Sequence, residues 1–278
     1  MTLQQIRTDD DHVLDVHLSE GPGDGNPTLL WHHGSPHTGA LLEPVVAAAA
    51  ARRLPVVTYA RPSYAGSTPR PGRTVGSAGD DVRWILDTLG IERVVTIGYS
   101  GGGPHALAAA AALADRVVAV ATLDGVAPYT TAFDWFEGMA APGALRSAVD
   151  GGRSGRATFA ETEEFDPSQF VEADWAALGG RWAAVGQDAQ AAEGGGPDGL
   201  IDDDVAFTLP WGFELGDVIA PVLVVQSGGR VIPPSHGRWL AEHLPTADLQ
   251  RRPDDGHVSV LDALPDAIDW LQARAAQT

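Results

Sequence analysis

The sequence predicts an α/β fold in which a mostly parallel sheet is covered by helices on both faces. Short apolar runs alternate with helical segments along most of the chain, which is the pattern of parallel strands joined by helices. The chain has 278 residues, 44% of them hydrophobic, which is enough for one large core and an insertion.

Seven short apolar runs are predicted to be strands, and five of the segments between them are predicted to be helices. The predicted strands cover residues 12–18, 28–32, 55–59, 93–97, 117–123, 221–226 and 247–251. The predicted helices cover residues 41–52, 78–89, 104–113, 235–243 and 265–275. In open sheets of this kind, ligands bind beyond the carboxyl ends of the strands. Four features of the sequence follow strands in this way, namely His33-Gly34, Ser100, Asp124 and His257.

One segment, residues 126–216, interrupts the alternation because it has no strand-like run. It contains all seven phenylalanines and carries sixteen acidic residues against four arginines. We expect a helical lid over an apolar cleft, with its aromatic side chains inside and its acidic ones outside. Residues 1–125 and 217–278 would then form the core.

Most aromatic side chains of this segment are expected to pack its helices onto the core, and a minority are expected to face a substrate. The candidates for substrate contact are Trp135, Phe136, Trp175 and Trp182. Tyr99 and His33 are further candidates in the core, and His33 is also expected to brace its own loop.

Composition excludes several function classes. The net charge of −19 argues against nucleic acids and anionic membrane surfaces as partners. The chain has no lysine and no cysteine, which removes Schiff-base chemistry, thiol nucleophiles and disulfides. Residues 1–5 lack the pattern of a signal peptide, so we expect a soluble cytoplasmic protein.

Three histidines near the first glycine loop, His32, His33 and His37, are candidate metal ligands. No second cluster and no carboxylates at fixed spacing accompany them. We therefore predict neither a metal nor a cofactor.

Ser100 lies in Gly98-Tyr99-Ser100-Gly101-Gly102, directly between a predicted strand and a predicted helix. A G-x-S-x-G sequence in that context is typical of a sharp turn that exposes a nucleophilic serine. The amide of Gly101 would face a developing oxyanion. Serine needs a base with a pKa near neutrality, and His257 follows the last predicted strand.

The order of four motifs resembles the α/β-hydrolase superfamily: His33-Gly34-Ser35-Pro36, then Tyr-Ala-Arg-Pro-Ser-Tyr-Ala-Gly-Ser at 59–67, then the Ser100 motif, then Gly256-His257. The His-Gly-x-Pro form is similar to the branch of epoxide hydrolases, dehalogenases and haloperoxidases. The resemblance implies an α/β-hydrolase fold, an oxyanion-hole amide at Ser35, and His257 as the base. Epoxide hydrolases and dehalogenases use an aspartate nucleophile, so serine at position 100 indicates acyl transfer.

The chain departs from this family at the acid of the triad. Most members place it after the strand equivalent to residues 221–226, where this chain has Ser-Gly-Gly-Arg at 227–230. Asp124 follows the strand after the nucleophile, and a carboxylate there can reach the same imidazole nitrogen. Two alternatives are that Asp124 only caps the start of the next segment, or that the acid is lost. Asp254 and Asp255 are candidates only by proximity.

We therefore expect a serine hydrolase that cleaves a small-molecule ester or related acyl substrate through an acyl-enzyme intermediate. The missing usual acid leaves a weakly active or non-catalytic ligand receptor as one alternative. A peptidase of the proline-iminopeptidase kind is the other, since an acidic lid could attract a substrate amine.

Overall fold

A computed structural model describes residues 1–8, 11–20 and 26–277. Its centre is an eight-stranded sheet with the strand order β1-β2-β4-β3-β5-β6-β7-β8. The strands are β1 Thr2–Arg7, β2 Val13–Leu18, β3 Thr28–His32, β4 Val56–Tyr59, β5 Val94–Tyr99, β6 Val117–Leu123, β7 Val222–Ser227 and β8 Ala247–Arg252. Only the pairings of β1 with β2 and of β2 with β4 are antiparallel. The predicted α/β fold with a mostly parallel sheet is confirmed.

Nine α-helices lie within the described residues. They are α1 Glu43–Ala50, α2 Ala78–Leu89, α3 Gly102–Ala112, α4 Gly143–Ala160, α5 Glu172–Leu178, α6 Ala183–Gly194, α7 Asp198–Thr208, α8 Pro234–His243 and α9 Leu264–Ala275. None of the helices in the described part of the chain combines the length and apolarity that crossing a membrane requires.

The central strands are buried on both faces, which explains why they are continuous apolar runs. In β5, all six residues are buried. Alternate residues of the strand enter two separate hydrophobic clusters, with Val94 in one, and Val95 and Ile97 in the other. Helices α2, α3 and α8 contribute to the first cluster, and α1 and α9 contribute to the second. Parallel pairing places the carboxyl ends of β5, β6 and β7 side by side, and the two clusters bury the sheet that these strands form.

The first strand, β1, is not among the predicted strands. It is an edge strand, in which only Ile6 is buried while the other five residues are exposed. Its one-sided contact with β2 requires no apolar run, so the sequence Thr-Leu-Gln-Gln-Ile-Arg gives no strong strand pattern.

Residues 126–216, here called the β6–β7 segment, are described in full and contain helices α4–α7 and no strand. The expected division between aromatic residues inside and acidic residues outside holds only in part. Four of its aspartates, Asp174, Asp202, Asp203 and Asp204, are buried. Phe165 is 62% exposed and Trp175 is 45% exposed. The acidic character of this segment is thus partly a feature of its contact with the core.

His236 of α8 is fully buried, although its helix lies near the surface. Its Nδ1 accepts a hydrogen bond from the Ala127 amide at 3.1 Å, and its Nε2 donates to the Trp135 carbonyl at 2.9 Å. Burial lowers the pKa of His236 to about 4, against an opposing effect of the bond to Trp135. The imidazole therefore stays neutral and ties α8 to the start of the β6–β7 segment.

This burial predicts a pH dependence of stability. The unfolded chain takes up a proton on His236 as the pH falls below 6.5, whereas the folded protein does so only near 4. Neutral His236 therefore makes its full contribution to the free energy of unfolding well above pH 6.5. About 2 kcal/mol of that free energy is lost between pH 7.5 and pH 5. We expect urea unfolding of His236→Gln to show a correspondingly flatter dependence on pH than the wild type. Equal slopes for the two proteins would contradict the prediction.

Candidate active site

Ser100 lies at the turn between β5 and α3. Its backbone has a φ of 53°, in the left-handed region that residues other than glycine rarely adopt. Its amide donates to the Leu123 carbonyl of β6 at 2.9 Å, which fixes the turn against the neighbouring strand. The hydroxyl is thereby held at the carboxyl edge of the sheet.

Two glycines of the motif are required by the closeness of the surrounding backbone. A Cβ atom at Gly98 would lie 2.1 Å from the carbonyl oxygen of Gly102. A Cβ at Gly102 would lie 2.1 Å from the carbonyl oxygen of His32. Since such distances are far inside van der Waals contact, no larger residue fits at either position.

Ser100, His257 and Asp124 form a continuous hydrogen-bonded chain. The Ser100 hydroxyl lies 2.9 Å from Nε2 of His257, and Nδ1 of His257 lies 2.8 Å from Oδ2 of Asp124. With the proton on Nδ1, the ring donates to the carboxylate and accepts from the hydroxyl. Three residues from three different loops thus meet in the order serine, histidine and aspartate.

The carboxylate of Asp124 is fully buried and receives four hydrogen bonds. Oδ1 accepts from Nε2 of Gln226 at 2.7 Å and from the Ser227 amide at 2.9 Å. Oδ2 accepts from the Ser227 hydroxyl at 2.9 Å in addition to the His257 ring. The end of β7, which has no carboxylate of its own, therefore supplies hydrogen-bond donors to one on β6.

The other acids considered from the sequence lie elsewhere. Asp255 forms an ion pair with Arg252, and Asp254 is exposed. Among the described residues, the side-chain contacts of Asp124 are those with β7 and His257, and none caps the segment that follows it.

The loop after β3 lies against the Ser100 turn. A Cβ at Gly101 would lie 2.3 Å from Oγ of Ser35, so the two loops are in contact. Within the described part of the chain, the amides of Ser35 and Gly101 donate to no protein acceptor. Two amides without a protein acceptor therefore belong to loops that meet beside Ser100. Amides of this kind can bind a developing negative charge.

Arg61 braces the loop that carries Ser35. Its guanidinium donates to the carbonyls of His33 at 2.6 Å and Gly34 at 3.0 Å. The His33 ring donates from Nδ1 to the Gly34 carbonyl and accepts at Nε2 from the Arg61 amide. Burial, together with the charge of Arg61, holds the pKa of His33 well below its usual value. His33 is therefore neutral, and both of its ring nitrogens are engaged within the protein.

Asp203 of α7 connects the β6–β7 segment to this loop. It is fully buried and accepts hydrogen bonds from Arg61 at 2.6 Å, Arg73 at 2.6 Å, Tyr64 at 2.8 Å and the Ser35 hydroxyl at 2.5 Å. Burial opposes its ionisation, but the charges of the two arginines hold the pKa of this carboxyl well below the usual range. The result is a buried ion cluster that contacts the Ser35 hydroxyl.

The candidate substrate-contacting aromatic residues differ in position. Trp135 and Trp182 are buried, with their indole nitrogens bonded to the Ala127 carbonyl and to Asp262. The ring centroid of Phe136 lies 4.2 Å from Cζ of Arg146. Trp175 packs beside Phe165 and Phe170. The ring centroid of Tyr99 lies 5.3 Å from that of His257.

Phe207 of α7, which is not among the candidate residues predicted from the sequence, lies against the Ser100 turn. A Cβ at Gly101 would lie 2.8 Å from its Cζ atom. Its ring also packs edge-on against His105 of α3, with centroids 5.9 Å apart. No motif in the sequence marks Phe207, because only the tertiary structure shows which face of α7 meets the turn.

The three histidines near Gly34 have separate surroundings within the protein. His32 is buried, and burial with the nearby Arg61 charge lowers its pKa to about 3. His37 bonds Asp188 of α6 at 2.8 Å. Across the described residues, no group of three or more histidine or acidic side chains could hold a metal ion.

The chain is similar in sequence to a known protein family and to one named protein. A family model described as the alpha/beta hydrolase fold matches residues 27–264. The chain is 26% identical over 274 residues to the protein named "Putative carbamate hydrolase RutD" of Caulobacter sp. (strain K31), covering 92% of this chain and 94% of that protein.

Two solved structures illustrate the similarity of fold. The enol-lactonase from Burkholderia xenovorans LB400 superposes with a TM-score of 0.70 at 22% identity, over 94% of this chain and 97% of that one. A thermophilic esterase from Thermogutta terrifontis gives a TM-score of 0.66 at 19% identity, over 100% of this chain and 98% of that one.

The buried ion cluster predicts a large stability effect at Asp203. In Asp203→Asn, Arg61 and Arg73 keep their charges but lose the carboxylate that compensates them. We expect the free energy of unfolding in urea to fall by about 3–5 kcal/mol. Glu161→Gln, at an exposed acid of the same segment, serves as the control. A loss at Asp203 of no more than about 1 kcal/mol, typical of exposed pairs, would contradict the prediction.

Proposed function

The chain belongs to the α/β-hydrolase-fold family, and on this premise we propose that it is a serine hydrolase acting on an ester or related acyl substrate. The observation that carries the proposal is the hydrogen-bonded chain from the Ser100 hydroxyl through the His257 ring to Asp124. An ordinary serine is a weak nucleophile, and a neutral imidazole at 2.9 Å is positioned to accept its proton.

In the first half of the reaction, Oγ of Ser100 attacks the acyl carbon while its proton passes to Nε2 of His257. The carbonyl oxygen becomes an oxyanion that the amides of Ser35 and Gly101 stabilise. When the bond to the leaving group breaks, His257 returns the proton to the departing oxygen. The products of this step are the acyl-enzyme and the free alcohol.

In the second half, water attacks the acyl carbon and His257 takes one of its protons. Collapse of the second oxyanion breaks the bond to Oγ of Ser100, which recovers a proton from the imidazolium. The acid product leaves, and the resting hydrogen-bonded chain is restored.

Asp124 acts as the acid of the triad in this proposal. A carboxylate at Nδ1 keeps the proton on that nitrogen, so that Nε2 is free to act as the base, and it offsets the charge of the imidazolium. The donors from Gln226 and Ser227 fix the orientation of the carboxylate.

We also propose that the β6–β7 segment is a lid over the site. Its residues reach the loops that surround Ser100: Asp188 bonds His37 and Thr38, Asp203 bonds Ser35, and Phe207 packs on Gly101. These contacts between the segment and the loops around Ser100 are the support for the lid.

Replacing the nucleophile provides the first test. Ser100→Ala should abolish both hydrolysis of p-nitrophenyl esters and covalent labelling by a fluorophosphonate, because no other hydroxyl is hydrogen-bonded to the His257 ring among the described residues. Ser154→Ala, at an exposed serine of α4, should behave like the wild type. Labelling that persists in Ser100→Ala would overturn the assignment.

Replacing the acid provides the second test. Asp124→Asn keeps the side-chain shape but leaves Nδ1 of His257 without a carboxylate, so kcat should fall by roughly 10⁴. Asp254→Asn, which changes an exposed acid near His257, is the matched control. Near-wild-type kcat in Asp124→Asn, or a large loss in Asp254→Asn, would show that the acid lies elsewhere.

A further inference from the structure

A second buried carboxylate, that of Asp174, contacts the loop of His257 from the β6–β7 segment. Its Oδ1 accepts from the amides of Val258 at 2.7 Å and Ser259 at 2.9 Å, and its Oδ2 accepts from the His257 amide at 3.1 Å. The Ser259 hydroxyl adds a fourth bond at 3.2 Å. One side chain of α5 thus binds three consecutive backbone amides that begin at the proposed base.

These amides belong to the start of a helical turn. A 3-10 turn, Ser259–Ala263, follows His257 and leads directly into α9. The first amides of such a turn have no acceptor within it, and their dipoles favour a negative charge. Asp174 supplies this charge from a position 83 residues earlier in the chain.

The chain is shaped for this approach. A Cβ at Gly256 would lie 2.0 Å from Oδ2 of Asp174, so a side chain there would displace the carboxylate. Asp174 is itself held at the start of α5, where its Oδ2 also accepts from the Val171 amide at 3.1 Å. Gly256 therefore leaves space for the Asp174 carboxylate, and the Val171 amide holds that carboxylate in place.

Asp174 and Asp124 place two fully buried negative charges around His257. Within the described residues, neither carboxylate forms an ion pair with an arginine. Asp124 contacts the ring itself, whereas Asp174 contacts the backbone that carries the ring.

We propose that Asp174 is a positioning residue for His257. This inference rests on the proposed serine-hydrolase function. Asp174 does not touch the ring or the reacting atoms, and it acts through the backbone of the 257–259 turn. It sets the place from which the imidazole reaches Ser100 on one side and Asp124 on the other.

The test compares Asp174→Asn with Glu172→Gln, which changes an exposed acid of the same helix. The asparagine side chain keeps the size of the aspartate but loses the charge and one acceptor. A small displacement of a catalytic group costs on the order of 10²-fold, so we expect kcat and the rate of fluorophosphonate labelling to fall by about that factor. KM should stay within about two-fold, since the substrate-binding surface is unchanged. Glu172→Gln should match the wild type in every measurement.

Proton NMR supplies a readout that a purely structural role would not move. The low-field resonance of the His257 Nδ1 proton reports its hydrogen bond to Asp124, and we expect it to shift or broaden in Asp174→Asn. A folded Asp174→Asn protein with wild-type kcat and an unchanged resonance would overturn the inference.

The failure of the inference can be told apart from that of the proposed function. A wild-type protein that does not react with the fluorophosphonate would overturn the proposed function, and with it this inference. If Asp174→Asn does not fold, Gly256→Ala replaces it, because the added Cβ displaces the carboxylate and keeps its charge. Wild-type kcat in Gly256→Ala would then overturn the inference, and a selective loss of kcat would support it.

Discussion

The geometry of the site depends on the burial of one carboxylate, that of Asp124, at the end of β6. A buried charge is tolerated only when hydrogen bonds replace the water it has lost. Strands β6 and β7 are paired in parallel, with Leu123 opposite Val225, so the two residues after Val225 lie beside Asp124. Those residues, Gln226 and Ser227, donate three hydrogen bonds to it. The aspartate after β6 and the uncharged donors of β7 therefore depend on each other. A second carboxylate at the end of β7 would repel the first and would replace a donor that it needs.

The same requirement explains how the β6–β7 segment accommodates its four buried aspartates. Asp174 is held by backbone amides. The other three form ion pairs with arginines: Asp202, Asp203 and Asp204. Arginine suits the buried pairs because its planar fork binds several acceptors at once, and every basic residue of this chain is an arginine. The segment is thus joined to the core by polar contacts that have defined geometry, and not by apolar packing alone.

Much of the core could be predicted because its strands are buried on both faces, as the apolar run of β5 shows. The position of Ser100 could be predicted because its glycines are needed by local backbone contacts. The contacts of Asp174 and Phe207 could not be predicted, since they depend on which face of a helix meets a loop far away in sequence. His236 illustrates the same limit: its place on a polar helix suggests exposure, yet α8 turns it towards Trp135.

The spacing between the proposed nucleophile and acid is fixed by the backbone itself. Ser100 and Asp124 follow neighbouring strands, and each has a φ of 53°, which costs about 1–2 kcal/mol for a residue that is not glycine. Each amide continues the sheet ladder by donating to the next strand, to Leu123 and Val225 respectively. Just beyond them the two turns touch, since a Cβ at Gly103 would lie 2.9 Å from Cα of Gly125. A side chain at Gly103 would force the turns apart and separate Ser100 from Asp124. The hydrogen bonds of the sheet and the contact between the two turns thus keep Ser100 and Asp124 at a fixed separation.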